Sequence, residues 1–184
     1  MKNPPADLAA RLLEVGEQVL DPESTLRLED VARLVGASRA TMYYYFSGRD
    51  DLLTFLLTEH TRRGAAALAA AVDPAEPADV RLTAAVSALV DYLSRHPGTC
   101  AGLLAVFGGA GRIGEVLQET ERRIAGPLRE LIGSGPDAAD ATNAVLGALL
   151  LGVLGRVTAG ADPTDVEFRR RLTEQAVRGV LGHG

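Results

Sequence analysis

The chain is built from helix-length apolar segments separated by short breaks rich in proline and glycine. In the first segment, Leu8, Leu12 and Val19 share one face at helical spacing. Breaks such as Pro97-Gly98 end helices, because proline lacks an amide proton and restricts the residue before it. No segment alternates convincingly between apolar and polar residues, as a strand does. The sequence therefore predicts an all-α fold.

The breaks along the chain delimit nine predicted helices. They span residues 6–20, about 28–35, 39–46, 50–72, 79–96, 99–107, 113–132, 138–159 and 163–181. Ser47 is the predicted N-cap of the helix that starts near residue 50. We expect a small first unit at residues 1–49 and a larger helical unit at residues 50–184, connected through that helix.

The two short helices near the N-terminus predict a helix-turn-helix. Gly36 can take the left-handed conformation that ends a helix, and Ser38 is a good N-cap for the next one. In that next helix, Met42 and Phe46 are four residues apart and share a face that can pack on a core. The second helix of such a motif enters the DNA major groove.

Three of the four tyrosines are consecutive, at positions 43–45. Propensity alone favours a strand for such a run, but the helix signals on both sides make it helical. Arg39 and Tyr43 form one i, i+4 pair and Ala40 and Tyr44 another, both turned away from Met42. These two faces are therefore free to meet DNA.

The stretch from residue 28 to residue 53 resembles the DNA-binding signature of TetR-family transcriptional regulators. Spacing and residue class agree at Val31-Ala32, Gly36, Ser38, Thr41-Met42-Tyr43, Tyr45-Phe46, Arg49 and Leu52-Leu53. Beyond residue 57 only the helical layout is similar. The resemblance implies a three-helix helix-turn-helix domain followed by a larger helical ligand-binding and dimerisation domain.

The resemblance also implies roles for individual residues. Positions that contact chiefly the DNA backbone correspond to Thr41, Tyr43, Tyr45 and Arg49, whose hydroxyls and cation suit phosphate. The variable base-reading positions correspond to Arg39, Ala40 and Tyr44. Arg39 can donate two hydrogen bonds to guanine, worth about 1–3 kcal/mol of discrimination. The full set of candidate DNA-binding residues is Arg27, Ser38, Arg39, Ala40, Thr41, Tyr43, Tyr44, Tyr45 and Arg49.

Several of these roles have a structural alternative. Tyr43 can be a packing residue, Tyr44 and Tyr45 can be ordinary surface tyrosines, and Arg39 can contact phosphate alone. Arg27 departs from the Ser or Thr that often opens the second helix in the family. Arg49 replaces the usual lysine, which keeps the cation and alters its geometry.

The charge balance limits how such a protein can hold DNA. The net charge is −5, from 24 acidic and 19 basic residues, which argues against a broad electrostatic binder. Residues 1–60 carry 6 basic side chains against 10 acidic ones. We therefore expect a few placed contacts that remain sensitive to salt.

The larger unit can hold a small-molecule effector in its apolar interior, as is typical of the family. The candidate pocket residues lie on the middle helices, and each has a simpler interpretation as a core residue. They are Leu89, Tyr92, Cys100, Leu103, Leu104 and Phe107.

The last two helices predict a homodimer. A strip of small residues on one helix and an i, i+4 apolar stripe on the other can form a four-helix interface about a two-fold axis. The alternative is that both cover the core of their own chain. The candidate interface residues are Ala144, Ala148, Gly152, Gly155, Phe168, Leu172, Ala176 and Val180.

Other classes of protein lack a signal in this sequence. A single cysteine excludes an internal disulfide framework, and three histidines without ligand spacing predict neither a metal nor a cofactor. No acid–base pair can be assembled, so we do not expect an enzyme. The longest apolar run, 144–155, is shorter than the roughly 20 residues of a membrane span. We expect a cytoplasmic protein without a membrane partner.

Together these features predict a ligand-responsive transcriptional regulator, and they favour a repressor over an activator. As a dimer it would bind a palindromic double-stranded DNA operator and be released by a small molecule. The competing interpretation is a helical protein-interaction or ligand-carrier module that no longer binds DNA. Binding to an operator distinguishes the two.

Overall fold

A computed structural model describes residues 3–107 and 113–181, and every regular element within these ranges is helical, as the sequence predicts. The helices are α1 (Ala6–Glu14), α2 (Gly16–Leu20), α3 (Leu28–Leu34), α4 (Arg39–Tyr45), α5 (Arg49–Ala71), α6 (Ala78–Arg95), α7 (Pro97–Phe107), α8 (Ile113–Thr120), α9 (Gly126–Ile132), α10 (Ala138–Thr158) and α11 (Val166–Leu181).

The first predicted helix is in fact two helices. The backbone leaves helical geometry at Val15, where φ is −94° and ψ is 0°, and α2 starts at Gly16. Gly16 is buried against α5, and a Cβ atom there would lie 3.4 Å from Nε2 of His60. Apolar spacing alone does not reveal this break, because the residues on both sides keep the same buried face.

The start of α5 also differs from the prediction. Its N-cap is Gly48 and not Ser47, and no side chain caps it. Instead, the carboxylate of Asp51 accepts a hydrogen bond of 2.8 Å from the backbone N–H of Ser47. A carboxylate in the first turn satisfies an otherwise unpaired donor and suits the positive end of the helix.

The helix predicted at 113–132 is interrupted by a π-helical turn at Glu121–Ala125, which joins α8 to α9. The backbone N–H of Gly126 donates to the carbonyl oxygen of Glu121, five residues earlier. Pro127 follows and has no N–H to donate. The wider turn lets the chain continue through this proline as a helix.

Helix α5 packs against helices of both predicted units, and the buried apolar side chains of the described residues form one continuous core. The boundary at residue 49 stays a prediction. At the start of α5, Phe55 packs 5.5 Å from Phe46 of the first unit, measured between ring centroids. Further along, Gly64 lies against Tyr92 of α6. In the second unit α5 packs on α6 and α8, and α10 packs on α7, α9 and α11.

Candidate nucleic-acid interface and regulatory cavity

The turn between α3 and α4 has the predicted glycine geometry. Gly36 has φ of +62°, which lies in the left-handed region. The N–H of Ala37 donates to the carbonyl of Ala32 over 2.9 Å, closing the end of α3. The guanidinium of Arg11 on α1 donates to the carbonyl of Val35 over 2.8 Å. The turn is therefore held both locally and from α1.

The predicted N-cap of α4 is confirmed. The Ser38 hydroxyl oxygen accepts a hydrogen bond of 2.9 Å from the backbone N–H of Thr41. The two hydroxyl groups of Ser38 and Thr41 also lie 2.8 Å apart, within hydrogen-bonding distance. Ser38 and Thr41 are therefore positioned by each other at the start of the candidate recognition helix.

The predicted buried face of α4 is confirmed as well. Met42 and Phe46 have no exposed surface, and both belong to the core that contains Val31 of α3. Tyr45 is half-buried and packs on the edge of this core. The buried anchors fix the rotation of α4 about its own axis.

That rotation leaves the opposite face of α4 in solvent. Arg39 and Ala40 are exposed, and the exposed fractions of Tyr43 and Tyr44 are 49% and 59%. The ring of Tyr44 stands edge-on to that of Tyr45, with 5.0 Å between centroids. One short helix thus presents a cation and two phenol rings on a single outer surface.

The carboxylate of Glu29 on α3 lies within this outer surface. It accepts a hydrogen bond of 2.7 Å from the Tyr43 hydroxyl and one of 3.0 Å from the Arg39 guanidinium. The hydrogen bond from Tyr43 and the nearby arginine charge lower the pKa of Glu29, and the same bond raises the pKa of Tyr43. The sequence analysis missed Glu29, because its partners lie 10 and 14 residues away along the chain.

Two predicted DNA contacts lie outside the exposed face of α4. The guanidinium of Arg49 donates to the carbonyls of Ser24 and Val19, each over 2.9 Å. It therefore has a structural role that the sequence did not indicate, and its contact with DNA stays a prediction. Arg27 is exposed at the N-cap of α3, and its backbone N–H donates to the carboxylate of Asp30 over 2.9 Å. That hydrogen bond lowers the pKa of Asp30.

The second unit contains a small cavity of about 60 Å³. Three of the predicted pocket residues line it: Leu89, Tyr92 and Leu103. Cys100 and Leu104 do not line it, and the side chain of Phe107 lies outside the described part of the chain. The cavity is lined by His60, Thr61, Gly64, Leu89, Tyr92, Leu93, Thr99, Leu103, Thr120, Ile124, Leu146 and Leu150.

Burial alters the chemistry of the groups around this cavity. Nδ1 of His60 lies 2.8 Å from the hydroxyl oxygen of Tyr92. Desolvation lowers the pKa of His60 to about 4 and raises the pKa of Tyr92 to about 12. Burial also raises the pKa of the Cys100 thiol to about 12. At neutral pH these groups are therefore uncharged, and Cys100 lacks the thiolate that a redox sensor needs.

A polar contact joins α2 of the first unit to α7 of the second. Glu17 accepts a hydrogen bond of 2.6 Å from the backbone N–H of Gly98. The other oxygen of Glu17 lies 3.6 Å from Nδ1 of His96, whose ring is 5.0 Å from the ring of His60. A short series of polar side chains thus connects α2 in the first predicted unit with the cavity.

The predicted dimer residues fall into two groups. Leu172 and Ala176 are buried in the core of their own chain, and Phe168 and Val180 pack against it. Gly152 accommodates Leu172, since a Cβ atom at residue 152 would lie 2.7 Å from a Leu172 methyl group. In this structure the stripe on α11 packs on α10 and α6 of its own chain. A further contact of this stripe with a second chain stays a prediction.

The other group forms an exposed face on α10. Ala144, Ala148 and Gly155 are exposed at helical spacing. Leu151 lies between them with an exposed fraction of 61%, and the sequence analysis did not single it out. Helix α10 is also long and apolar enough to cross a membrane by length and composition, and 33% of its most apolar window is buried in the chain.

In the described part of the chain, no group of three His, Cys, Asp or Glu side chains is placed to hold a metal ion.

Comparison with curated proteins finds relatives along nearly the whole chain. Two uncharacterized HTH-type transcriptional regulators from Mycobacterium tuberculosis strains are each 31% identical over 180 residues. The match covers 95% of this chain and 75% of each relative. No protein-family model matches the sequence.

Solved structures share the fold at lower sequence identity. A tetR-family regulatory protein from Rhodococcus RHA1 is 18% identical with a TM-score of 0.72, covering 96% of this chain and 98% of that chain. A fatty acid degradation regulator from Bacillus halodurans is 17% identical with a TM-score of 0.75, covering 96% and 97%. A TetR-family regulator from Streptomyces coelicolor is 23% identical with a TM-score of 0.68, covering 97% and 89%.

Proposed function

The chain belongs to the TetR family of helix-turn-helix transcriptional regulators, and we propose that it is a ligand-responsive repressor acting from the cytoplasm. In this proposal a homodimer binds a palindromic operator through α4 of each subunit. A small molecule in the second unit then releases the dimer from DNA.

The outer face of α4 carries the proposal. Buried Met42 and Phe46 hold the helix, while Arg39, Ala40 and Tyr44 face solvent. Arg39 has the donors to read guanine, and Ala40 can contact a thymine methyl group. Hydroxyl groups such as that of Tyr43 can fix the register on phosphate.

The exposed face of α10 supports the dimer. Leu151 and the small residues beside it form an apolar strip, which a second copy of α10 can cover closely. A two-fold axis through this strip would place two recognition helices on one DNA duplex, as a palindromic site requires.

The cavity supports an effector of limited size and polarity. Its lining is mostly apolar, and its polar groups among the described residues are an imidazole and hydroxyls. At about 60 Å³ it is far below the 300–1,000 Å³ of typical ligand pockets, so binding requires the surrounding helices to move apart. We propose a small, uncharged and largely apolar effector.

Movement of those helices provides the release. His60 and Gly64 of the cavity lie on α5, and α5 directly follows α4 in the chain. An effector that binds better to an expanded cavity favours a different spacing of the two recognition helices. Repression follows if the operator overlaps a promoter, because a bound dimer blocks polymerase.

The DNA-binding part is tested by selecting duplexes from a random pool at two salt concentrations. We expect a palindrome with guanine at a fixed position of each half-site. Arg39→Ala should lose preference at that position, by about 10-fold to 100-fold. Arg122→Ala, which removes an exposed arginine of the second unit, is the matched control. Failure to enrich any sequence would instead favour the non-DNA interaction module.

The dimer is tested separately with Leu151→Glu. Burying a carboxylate in an apolar interface is unfavourable, so this variant should sediment as a monomer. Val80→Glu places the same charge at an exposed valine of α6 and should not change the sedimentation. If Leu151→Glu leaves a dimer intact, the two-fold contact does not run through α10.

A further inference from the structure

Glu29 occupies an unusual place for an acidic residue on a DNA-binding surface. Its carboxylate bonds to Arg39 and Tyr43 at the same time, through a single oxygen. Both partners point outward on α4, and the Glu29 side chain itself is 27% exposed. A negative charge therefore lies among the groups that are proposed to meet negatively charged DNA.

Two consequences follow for the side chains that Glu29 holds. The hydrogen bond to Glu29 favours one orientation of Arg39 before DNA arrives, which reduces the rotamer freedom that binding would otherwise remove. The guanidinium has five N–H donors, and its hydrogen bond to Glu29 uses only one nitrogen. The remaining donors are enough for the two acceptors of one guanine edge.

Glu29 favours base contact by Arg39 but disfavours non-specific contact with the DNA backbone. A phosphate that approaches Arg39 or Tyr43 without a matching base also approaches the Glu29 carboxylate, and like charges repel. The low pKa of Glu29 keeps that charge present at neutral pH. Arg27 is the other cation near this carboxylate, and Asp30 on the same turn adds a further negative charge.

We propose that Glu29 is a specificity-determining residue, which positions Arg39 for base contact and penalises contact of Arg39 with phosphate alone. The inference rests on the proposed DNA binding of α4 and extends it. It assigns to an acidic side chain of α3 the discrimination between operator and other DNA.

Glu29→Gln tests the proposal, because it keeps the shape and removes the charge. Affinity is measured for a 30-base-pair duplex pool of random sequence and for the duplex that the wild type selects. On the random pool we expect roughly fivefold tighter binding at low salt. We also expect a salt dependence steeper by about one counterion. The operator should gain less, so the specificity ratio falls.

Two further variants separate positioning from bulk charge. Glu76→Gln makes the same change of net charge in the loop between α5 and α6 and should leave the ratio unchanged. In an Arg39→Ala background, Glu29→Gln should no longer lower the ratio. A melting temperature equal to that of the wild type confirms that each variant is folded.

The outcomes distinguish this inference from the function on which it rests. If the wild type selects no sequence, the proposed operator binding fails and the role of Glu29 fails with it. If the wild type selects an operator but Glu29→Gln keeps its specificity ratio, only the role of Glu29 is overturned. The role of Glu29 is also overturned if Glu29→Gln lowers the specificity ratio equally in the wild type and in the Arg39→Ala background.

Discussion

Tyr43 and Tyr92 both have a hydrogen-bonded hydroxyl group, but the two regions that contain them differ in their solvent contact. Tyr43 donates to Glu29 on an open surface, where half of its own area is exposed. Tyr92 meets His60 within the protein, beside a cavity that is closed to a typical ligand. The proposed DNA-binding surface is therefore open to solvent, whereas the proposed effector site must open before a ligand of typical size can enter.

The pairing of polar atoms supports this difference. On the outer face of α4, Arg39 and Tyr43 have partners in the free protein. Around the cavity, Nε2 of His60 and the hydroxyl of Thr99 are buried without a hydrogen-bond partner in the described structure. Unpaired buried groups are costly. A ligand that supplied hydrogen-bond partners to these atoms would therefore remove this cost.

Phe46→Ala should give the largest loss of stability, because it removes a buried side chain that anchors α4 in the first unit. Phe46 is fully buried under α4 and packs on Phe55. We expect a loss of about 3–5 kcal/mol in the free energy of unfolding, measured by urea denaturation. Leu34→Ala, at an exposed leucine of α3, should change it by less than about 0.5 kcal/mol. Similar losses in both variants would mean that α4 is not anchored as described.

Acidification should give the second largest loss of stability, through the buried His60 beside the cavity. The pKa of His60 is about 4 when folded and 6.5 when unfolded, so the unfolded state binds more protons as pH falls below 6.5. Stability is thus lost from about pH 6.5 down to about pH 4. Between pH 7 and pH 5 we expect His60 to account for a loss of about 2 kcal/mol.

The contribution of His60 is isolated by comparing the wild type with His60→Gln at both pH values. The difference in free energy of unfolding between the two proteins should change by that amount. An NMR titration of the His60 ring provides a direct check. A ring that titrates near 6.5 would show that the cavity region is already open to water.

Ser38→Ala should give the smallest of the three effects. It removes the side chain that caps α4 and bonds to Thr41, at an expected cost of about 1 kcal/mol. Ser47→Ala is the matched control, since the N-cap of α5 is Gly48 and the substitution keeps the backbone N–H of Ser47 that donates to Asp51. Circular dichroism during urea denaturation measures both. Equal effects would contradict the assignment of the cap to Ser38.

The first unit could be predicted from sequence because its signals are local. Gly36, Ser38 and the spacing of Met42 and Phe46 all act within a few residues, and the structure confirms each. Glu29 and Arg49 were missed in their roles because their partners are 10 to 30 residues away. Neither contact follows a helical or strand period.

The second unit could be predicted only in outline. The apolar spacing indicated its helices, but periodicity does not show which neighbour covers an apolar face. The stripe on α11 thus left two interpretations open, a dimer interface or the core of its own chain. The structure shows that Leu172 packs against Gly152 of the same chain, and the dimer interface stays a prediction. The cavity combines residues from 60 to 150, so only its members on α6 and α7 were within reach of a local pattern.

The two hydrogen bonds of Arg49 determine how motion can pass between the regions. They tie the first turn of α5 to the end of α2 and to the loop after it, so α5 and the DNA-binding unit should tilt together as one lever. At 23 residues, α5 is about 34 Å long. The cavity residue Gly64 lies 15 residues from the start of α5, or about 22 Å along the helix. A tilt of about 5° about a pivot there would displace the start of α5 by about 2 Å, more than half of the roughly 3.4 Å between stacked bases.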